Sequence, residues 1–303
     1  MFFNIKTVRE GIILLTYFRE YNDAHHFACA EHPDLKQIKH RIDSVFSEFE
    51  DGLKKRRTHS KYIRRLNENL TNEADILWAK KSQQANIFLW MWLACISEQC
   101  NGRSMHFHSG ISQRAINTLR RMRFGLLSRD ELPIKTPYNE NQYYFSSLYM
   151  LDLASGTYSE KRLLADAIHD EYKKSLSKIE SEFSWISEAT ENQLHWVLNQ
   201  FMKERSLKSF INSLSLAIED SIKLIPYIYY FWGREEAEKE IWLIRLKKNY
   251  ANMKHREKVK DKAPVNIRIS PSAKNKLIKL EKRFNRNRSE VIEYLIEQAW
   301  TAK

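Results

Sequence analysis

The chain has 303 residues, 43% of them hydrophobic, enough for one large core or two ordinary ones, and this excludes a disordered protein. Seven Gly and six Pro exclude a turn-rich all-β fold and point to a mainly α-helical one. Of the net charge of +12, residues 245–303 supply +11, with 17 Lys/Arg against 6 Asp/Glu. Such a split is the footprint expected of a nucleic-acid-binding tail on a nearly neutral body, and on charge alone a solvated basic tail fits equally.

The opening MFFNIKTVREGIILLTYFREY is apolar but broken by Lys6, Arg9, Glu10 and Arg19, unlike the continuous apolar stretch of a signal peptide. The longest apolar run, 87–96, is half of the roughly 20 residues that a membrane span needs. Cys29, Cys95 and Cys100 are too few and too irregular for a disulfide framework. A cytoplasmic protein is therefore expected, nucleoid- or plasmid-associated if it binds DNA.

Helical periodicity predicts elements at about 5–21, 34–53, 59–70, 72–99 and 112–124. In 72–99, Ile76, Leu77, Ile87, Phe88, Trp90, Met91, Leu93 and Ala94 form a wide apolar face, with Asn72 as its cap and Asn101-Gly102 as its end. Next comes Arg103-Ser-Met-His-Phe-His108, an R-x4-H pattern that resembles the motif of HEPN ribonucleases. That resemblance makes Arg103 and His108 the alternative catalytic pair of a nuclease or toxin acting on RNA. A polar residue after the Arg is missing, and the stretch reads as a loop. Cys29, His32, Cys95 and Cys100 lack the tight C-x2-C spacing of a zinc site, so no metal or cofactor is expected.

SRDELPIKTPYNENQYYF at 128–145, with Pro133, Pro137 and Asn139, reads as an internal boundary or long loop. Helical patterns resume at about 146–154, 159–184, 187–204, 206–223 and 234–260. Asp166, Asp170 and Glu171 read as solvent-facing charges. Pro226, Tyr227, Tyr229, Tyr230, Phe231 and Trp232 read as a packed aromatic corner. The 234–260 segment begins acidic and ends basic, complementing the helix macrodipole.

Pro264 then breaks the pattern, which divides the chain into a helical body at 1–254, a basic linker or hinge at 255–263 and a module at 264–303. Val265-Asn266-Ile267-Arg268-Ile269 alternates as a half-buried strand does, and a lone strand leaves an open edge. Pairing with the same strand of a second chain would close it. Ser270 or Ser272 with Pro271 starts one helix, Asn285 suits its left-handed end, and Asn287 with Glu290 caps a second helix. Forty residues make a marginal core, so dimerisation is expected to bury Val265, Ile267, Ile269, Leu277, Leu280, Val291, Ile292, Leu295 and Ile296.

These features resemble the ribbon-helix-helix DNA-binding proteins of the MetJ/Arc/CopG superfamily over about residues 264–300. The resemblance implies an intermolecular two-stranded antiparallel ribbon in the major groove of double-stranded DNA. Asn266 and Arg268, followed by Ser270, would then face the DNA, with Asn suited to adenine and Arg to guanine. Asn287, Arg288 and Ser289 would hold a phosphate at a helix N-terminus. Lys258, Lys260, Lys262 and Lys274, with Lys276 and Arg286, would add phosphate contacts. The leading expectation is a homodimeric, sequence-specific DNA-binding protein, a transcriptional repressor or a plasmid, phage or chromosome maintenance factor. A HEPN-like nuclease with an autoregulatory tail and a scaffold that recruits a partner protein to DNA are the other readings.

Overall fold

A computed structural model describes residues 3–48, 52–100, 131–214, 218–260 and 266–302. The chain divides into two units, Met1–Asn249 and Tyr250–Lys303. Every regular element among the described residues is a helix.

The first unit opens with α1 (Val8–Tyr17), α2 (Tyr21–Cys29), α3 (Leu35–Ser47) and α4 (Gly52–Asn69). Thr7 and Glu10 form a capping box that satisfies free backbone N–H groups at the start of α1. The single helix expected at 5–21 is split, because Arg19 adopts a left-handed conformation (φ 66°) and turns the chain into α2. Helix α2 was not expected from the pattern. The helix expected at 34–53 ends at Ser47. Gly11 lets α1 approach α3, since a methyl at its Cβ position would run into Ile38 Cγ2.

The expected 72–99 helix is two elements. A 3-10 helix covers Glu73–Lys81 with Asn72 as its cap, and α5 covers Gln83–Cys100. Ser82 between them is extended, and its hydroxyl accepts from the Ala85 N–H. Helix α5 runs through the centre of the unit, with Phe88, Leu89, Trp90, Met91, Trp92 and Leu93 all buried. It packs on α6 (Glu140–Leu153), where Trp90 Nε1 donates to Ser146 Oγ at 3.2 Å and Asn86 Nδ2 to the Glu140 carbonyl at 2.6 Å. The last six residues of the loop expected at 128–145 therefore belong to a helix, capped by Asn139. The helix expected at 112–124 lies outside the described residues.

Then follow α7 (Tyr158–Phe183), a 3-10 turn (Ser184–Ile186), α8 (Glu191–Lys203), α9 (Arg205–Leu214), α10 (Ile218–Lys223), α11 (Ile225–Tyr230) and α12 (Glu236–Lys258). The aromatic corner is core: Tyr227, Tyr229, Phe231 and Trp232 are buried, and Trp232 and Tyr229 both pack on Trp242. Asp166 and Asp170 face solvent as expected, whereas Glu171 is buried.

A buried polar network ties α1, α6 and α7 together. Arg9 on α1 donates to both oxygens of Asp152 on α6 at 2.8 and 2.6 Å, and to the Thr71 carbonyl at 2.6 Å. Asp152 also accepts from the Thr71 N–H at 2.8 Å, and its carbonyl accepts from buried Lys161 of α7 at 3.0 Å. Burial opposes the charge on Arg9, but the hydrogen bond and attraction of Asp152 outweigh it and the guanidinium pKa is raised. Burial lowers the Lys161 pKa to about 8, against the pull of Asp152.

The second unit holds the end of α12, then α13 (Pro271–Phe284) and α14 (Arg288–Thr301). Ser270 caps α13 with Pro271 in its first turn, Asn285 takes the left-handed conformation (φ 50°, ψ 43°), and Asn287 with Glu290 caps α14. The strand is where expectation fails. Residues 266–270 form no strand, no β-ribbon exists among the described residues, and Val265 lies outside them. The ribbon-helix-helix assignment is overturned on this point. Alternation in sequence reports only which side chains share a face; a strand also needs a hydrogen-bonded neighbour, and the described residues supply none to this segment. The first four residues of the linker expected at 255–263 are helical, as α12 continues to Lys258.

Candidate nucleic-acid interface

The second unit is a helical hairpin with a small internal core. Leu277 of α13 and Val291 of α14 are buried, Leu280 and Ile292 are half-buried, and Phe284 meets Tyr294 edge-on at 5.3 Å. The other residues expected in a dimer core stand in solvent: Ile267 is 56% exposed, Ile269 45%, Leu295 41% and Ile296 62%. Trp300, which the sequence reading did not single out, is 78% exposed beside them in sequence.

Opposite the buried face of α13 lies its charge. Lys276, Lys279 and Arg283 recur at i, i+3 and i+7 and so share one stripe, on the side of the helix away from Leu277. With a rise of about 1.5 Å per residue, the stripe runs for roughly 10 Å. Lys282 flanks it, Lys274 lies just before it on another face of the helix, and all five cations are exposed. Among the described residues none of the four lysines has an acidic partner. Lys279, Lys282 and Arg283 were missed by sequence reasoning, which followed the expected strand; the K-x2-K-x3-R spacing from Lys276 was the signal that marks them.

The expected contacts fare unequally. Asn266, Arg268 and Ser270 are exposed, but Ser270 is spent as the α13 cap, accepting from the Ala273 N–H at 3.2 Å. Without a ribbon, nothing among the described residues aligns Asn266 and Arg268 as base readers. Asn287 and Ser289 are exposed at the start of α14, yet the Glu290 carboxylate already accepts from the Asn287 N–H at 3.1 Å. That fixed negative charge disfavours a phosphate in the same place. Arg288 is held by Glu281 at 2.7 Å. Arg286 lies over the Tyr294 ring, 5.1 Å from its centroid. Lys258 and Lys260 are exposed on and just after α12, while Lys262 lies outside the described residues. The usable positive surface of the second unit and the segment leading into it is therefore the α13 stripe and the basic end of α12, where Lys254 and Arg256 are also exposed.

In the first unit, Arg103 and His108 lie outside the described residues, so the proposed RNA-cutting pair has no geometry to weigh. Among the described residues no group of three His, Cys, Asp or Glu is arranged to hold a metal ion, and no helix is long and apolar enough to cross a membrane. Cys29 lies beside His25, with Sγ 3.7 Å from Nδ1, and burial raises its thiol pKa. Comparison of the chain with protein-family models, with curated proteins and with solved structures finds no match.

Proposed function

We propose that the chain binds double-stranded DNA through the second unit, with the exposed Lys276-Lys279-Arg283 stripe of α13 as its phosphate-contacting surface and Lys274, Lys282, Lys258 and Lys260 in support. The observation that carries this reading is the stripe itself: unpartnered lysines at helical spacing, in a segment that holds nearly all of the chain's net charge. Neutralising DNA phosphates releases condensed counterions, so such a surface gives strong, salt-dependent binding. A duplex is favoured over a single strand because single-strand sites add rows of free aromatic rings, whereas Phe284 and Tyr294 pack on each other. Regulation of transcription or maintenance of a DNA element is the role we infer. Exposed Ile267, Ile269, Leu295, Ile296 and Trp300 support pairing of two copies, which sedimentation equilibrium reads directly.

The test uses the full chain and a fluorescent 30-base-pair duplex, titrated at several salt concentrations by anisotropy. K276Q/K279Q/R283Q should bind more weakly and lower the slope of log affinity against log salt by about 3, since each phosphate contact contributes about 0.9. Equal affinity and slope for the variant and the parent would refute the assignment. Repeating the titration with unrelated sequences shows whether the binding discriminates among them.

A further inference from the structure

A second basic surface lies on the first unit, hidden in the near-neutral average of residues 1–244. Helix α4 reads GLKKRRTHSKYIRRLNEN and has Glu68 as its sole acid. Its residues sort cleanly onto two faces. Lys55, His59, Tyr62 and Leu66, at i, i+4, i+7 and i+11, face the body. Lys55 lies over the Phe46 ring at 5.1 Å, His59 packs on Phe3 at 4.7 Å, Tyr62 stacks on Tyr17 at 5.6 Å, and Leu66 is buried. Tyr62 also donates its hydroxyl to the Tyr17 carbonyl at 3.2 Å.

The opposite face presents Arg57, Lys61 and Arg64, again at i, i+4 and i+7, and all three are exposed. Arg64 reaches Glu68 at 3.5 Å, an exposed pair that water screens and that binding can displace. Arg56 and Arg65 border the stripe. On the Arg56 side, Arg56 and Ser60 line an open hollow of about 530 Å³ with Phe46, Gly52, Lys55 and His59. We infer that this face of α4 is a second contact surface for a nucleic-acid duplex, with the phosphate backbone as its ligand.

Three features select that partner. The cations form a straight row of roughly 10 Å on a helix fixed by its other side, which suits a rigid, regularly charged polymer. Two of the three are Arg, whose fork grips phosphate oxygens in pairs. A membrane surface is disfavoured, since a helix lying in lipid needs a free apolar face and that of α4 is already packed on the body. The surface belongs to the first unit and stands independently of the reading given to the second; where both hold, one chain carries two duplex-binding surfaces.

The test again uses the full chain, with R57E/K61E/R64E checked for native helicity and melting temperature, and R57Q/K61Q/R64Q as a gentler variant. A bead-bound duplex captures a second, labelled duplex through the protein. With Ile296→Glu added to all proteins, so that each particle carries one α13 stripe, reversal should cut captured DNA by about tenfold while one duplex still binds with a smaller salt slope. In a K276Q/K279Q/R283Q background it should weaken the residual salt-dependent binding further. Second-duplex capture at the parent level by R57E/K61E/R64E would overturn the inference. So would α4 charges that govern binding to phosphatidylserine vesicles and not to duplexes. Loss of binding on α4 reversal, with no effect of the α13 changes, would uphold the α4 surface and refute the α13 one. A duplex RNA arm, run in parallel, shows which nucleic acid the face prefers.

Discussion

Lys239 makes the stability of the first unit depend on pH in a direction that can be worked out. It is fully buried on α12, where Nζ donates to the Tyr230 carbonyl at 3.2 Å and lies 4.8 Å from the Tyr229 ring centroid. Glu236 is 3.8 Å away but is shared with Lys178. Burial first, and Lys178 second, lower the Lys239 pKa from 10.5 to about 7, against the attraction of Glu182. Between about pH 7 and pH 10 the folded chain therefore keeps the amine neutral while the unfolded chain protonates it. Unfolding then takes up a proton, so the contribution of Lys239 to stability rises with pH across this window and is flat and least favourable below about pH 7. At about 1.4 kcal/mol per pKa unit, the gain between pH 6 and pH 9.5 is about 3 kcal/mol. Lys239→Met removes it, leaving the smaller rise due to Lys161. The assay is the urea midpoint at half-unit pH steps; with a slope of roughly 3 kcal/mol per molar, the parent midpoint should climb about 1 M more than that of Lys239→Met. The lost bond to the Tyr230 carbonyl lowers the variant equally at every pH, so only the difference in slope counts. Parallel curves for the two proteins would refute the reasoning.

Gly11→Ala should lower stability by about 1–3 kcal/mol, because the new methyl meets Ile38 Cγ2 in a packed contact. Ile38→Ala, itself destabilising, should make the Gly11→Ala step less costly, and thermal melts of the four proteins of the cycle check this coupling. Ile296→Glu, on the exposed face of α14, should convert a dimer to a monomer in sedimentation equilibrium while the helical circular dichroism persists; a sedimenting mass unchanged from the parent would refute pairing through that face.

Local chemistry was legible where one residue decides the outcome. Asn72, Ser270, Asn285 and Asn287 terminate or cap helices as their side chains and backbone preferences dictate. Where the outcome depends on a neighbour, the pattern was ambiguous. The alternation at 265–269 looks the same with or without a partner strand, and the helical spacing of 72–99 runs through a break that Ser82 makes by capping α5. That serine was a readable signal, overridden by the apolar run on either side of it. Charge was read over blocks too long to resolve it: the stripe on α4 vanishes when averaged with the acidic residues of the body, although the run Lys54-Lys55-Arg56-Arg57 is visible in the sequence. The α13 stripe needed only a helical count from Lys276, once the helix was granted.

The buried pair of Arg9 and Asp152 spans 143 residues of chain. On a ribosome adding about 5–20 residues per second, Arg9 precedes its partner by roughly 7–30 seconds. During that interval the guanidinium remains hydrated and α1 has its caps but not its buried ion pair. The N-terminal helices can already pack on one another through Gly11–Ile38 and Tyr17–Tyr62, but the ion pair waits for α6, so synthesis order sets when the Arg9–Asp152 link can close.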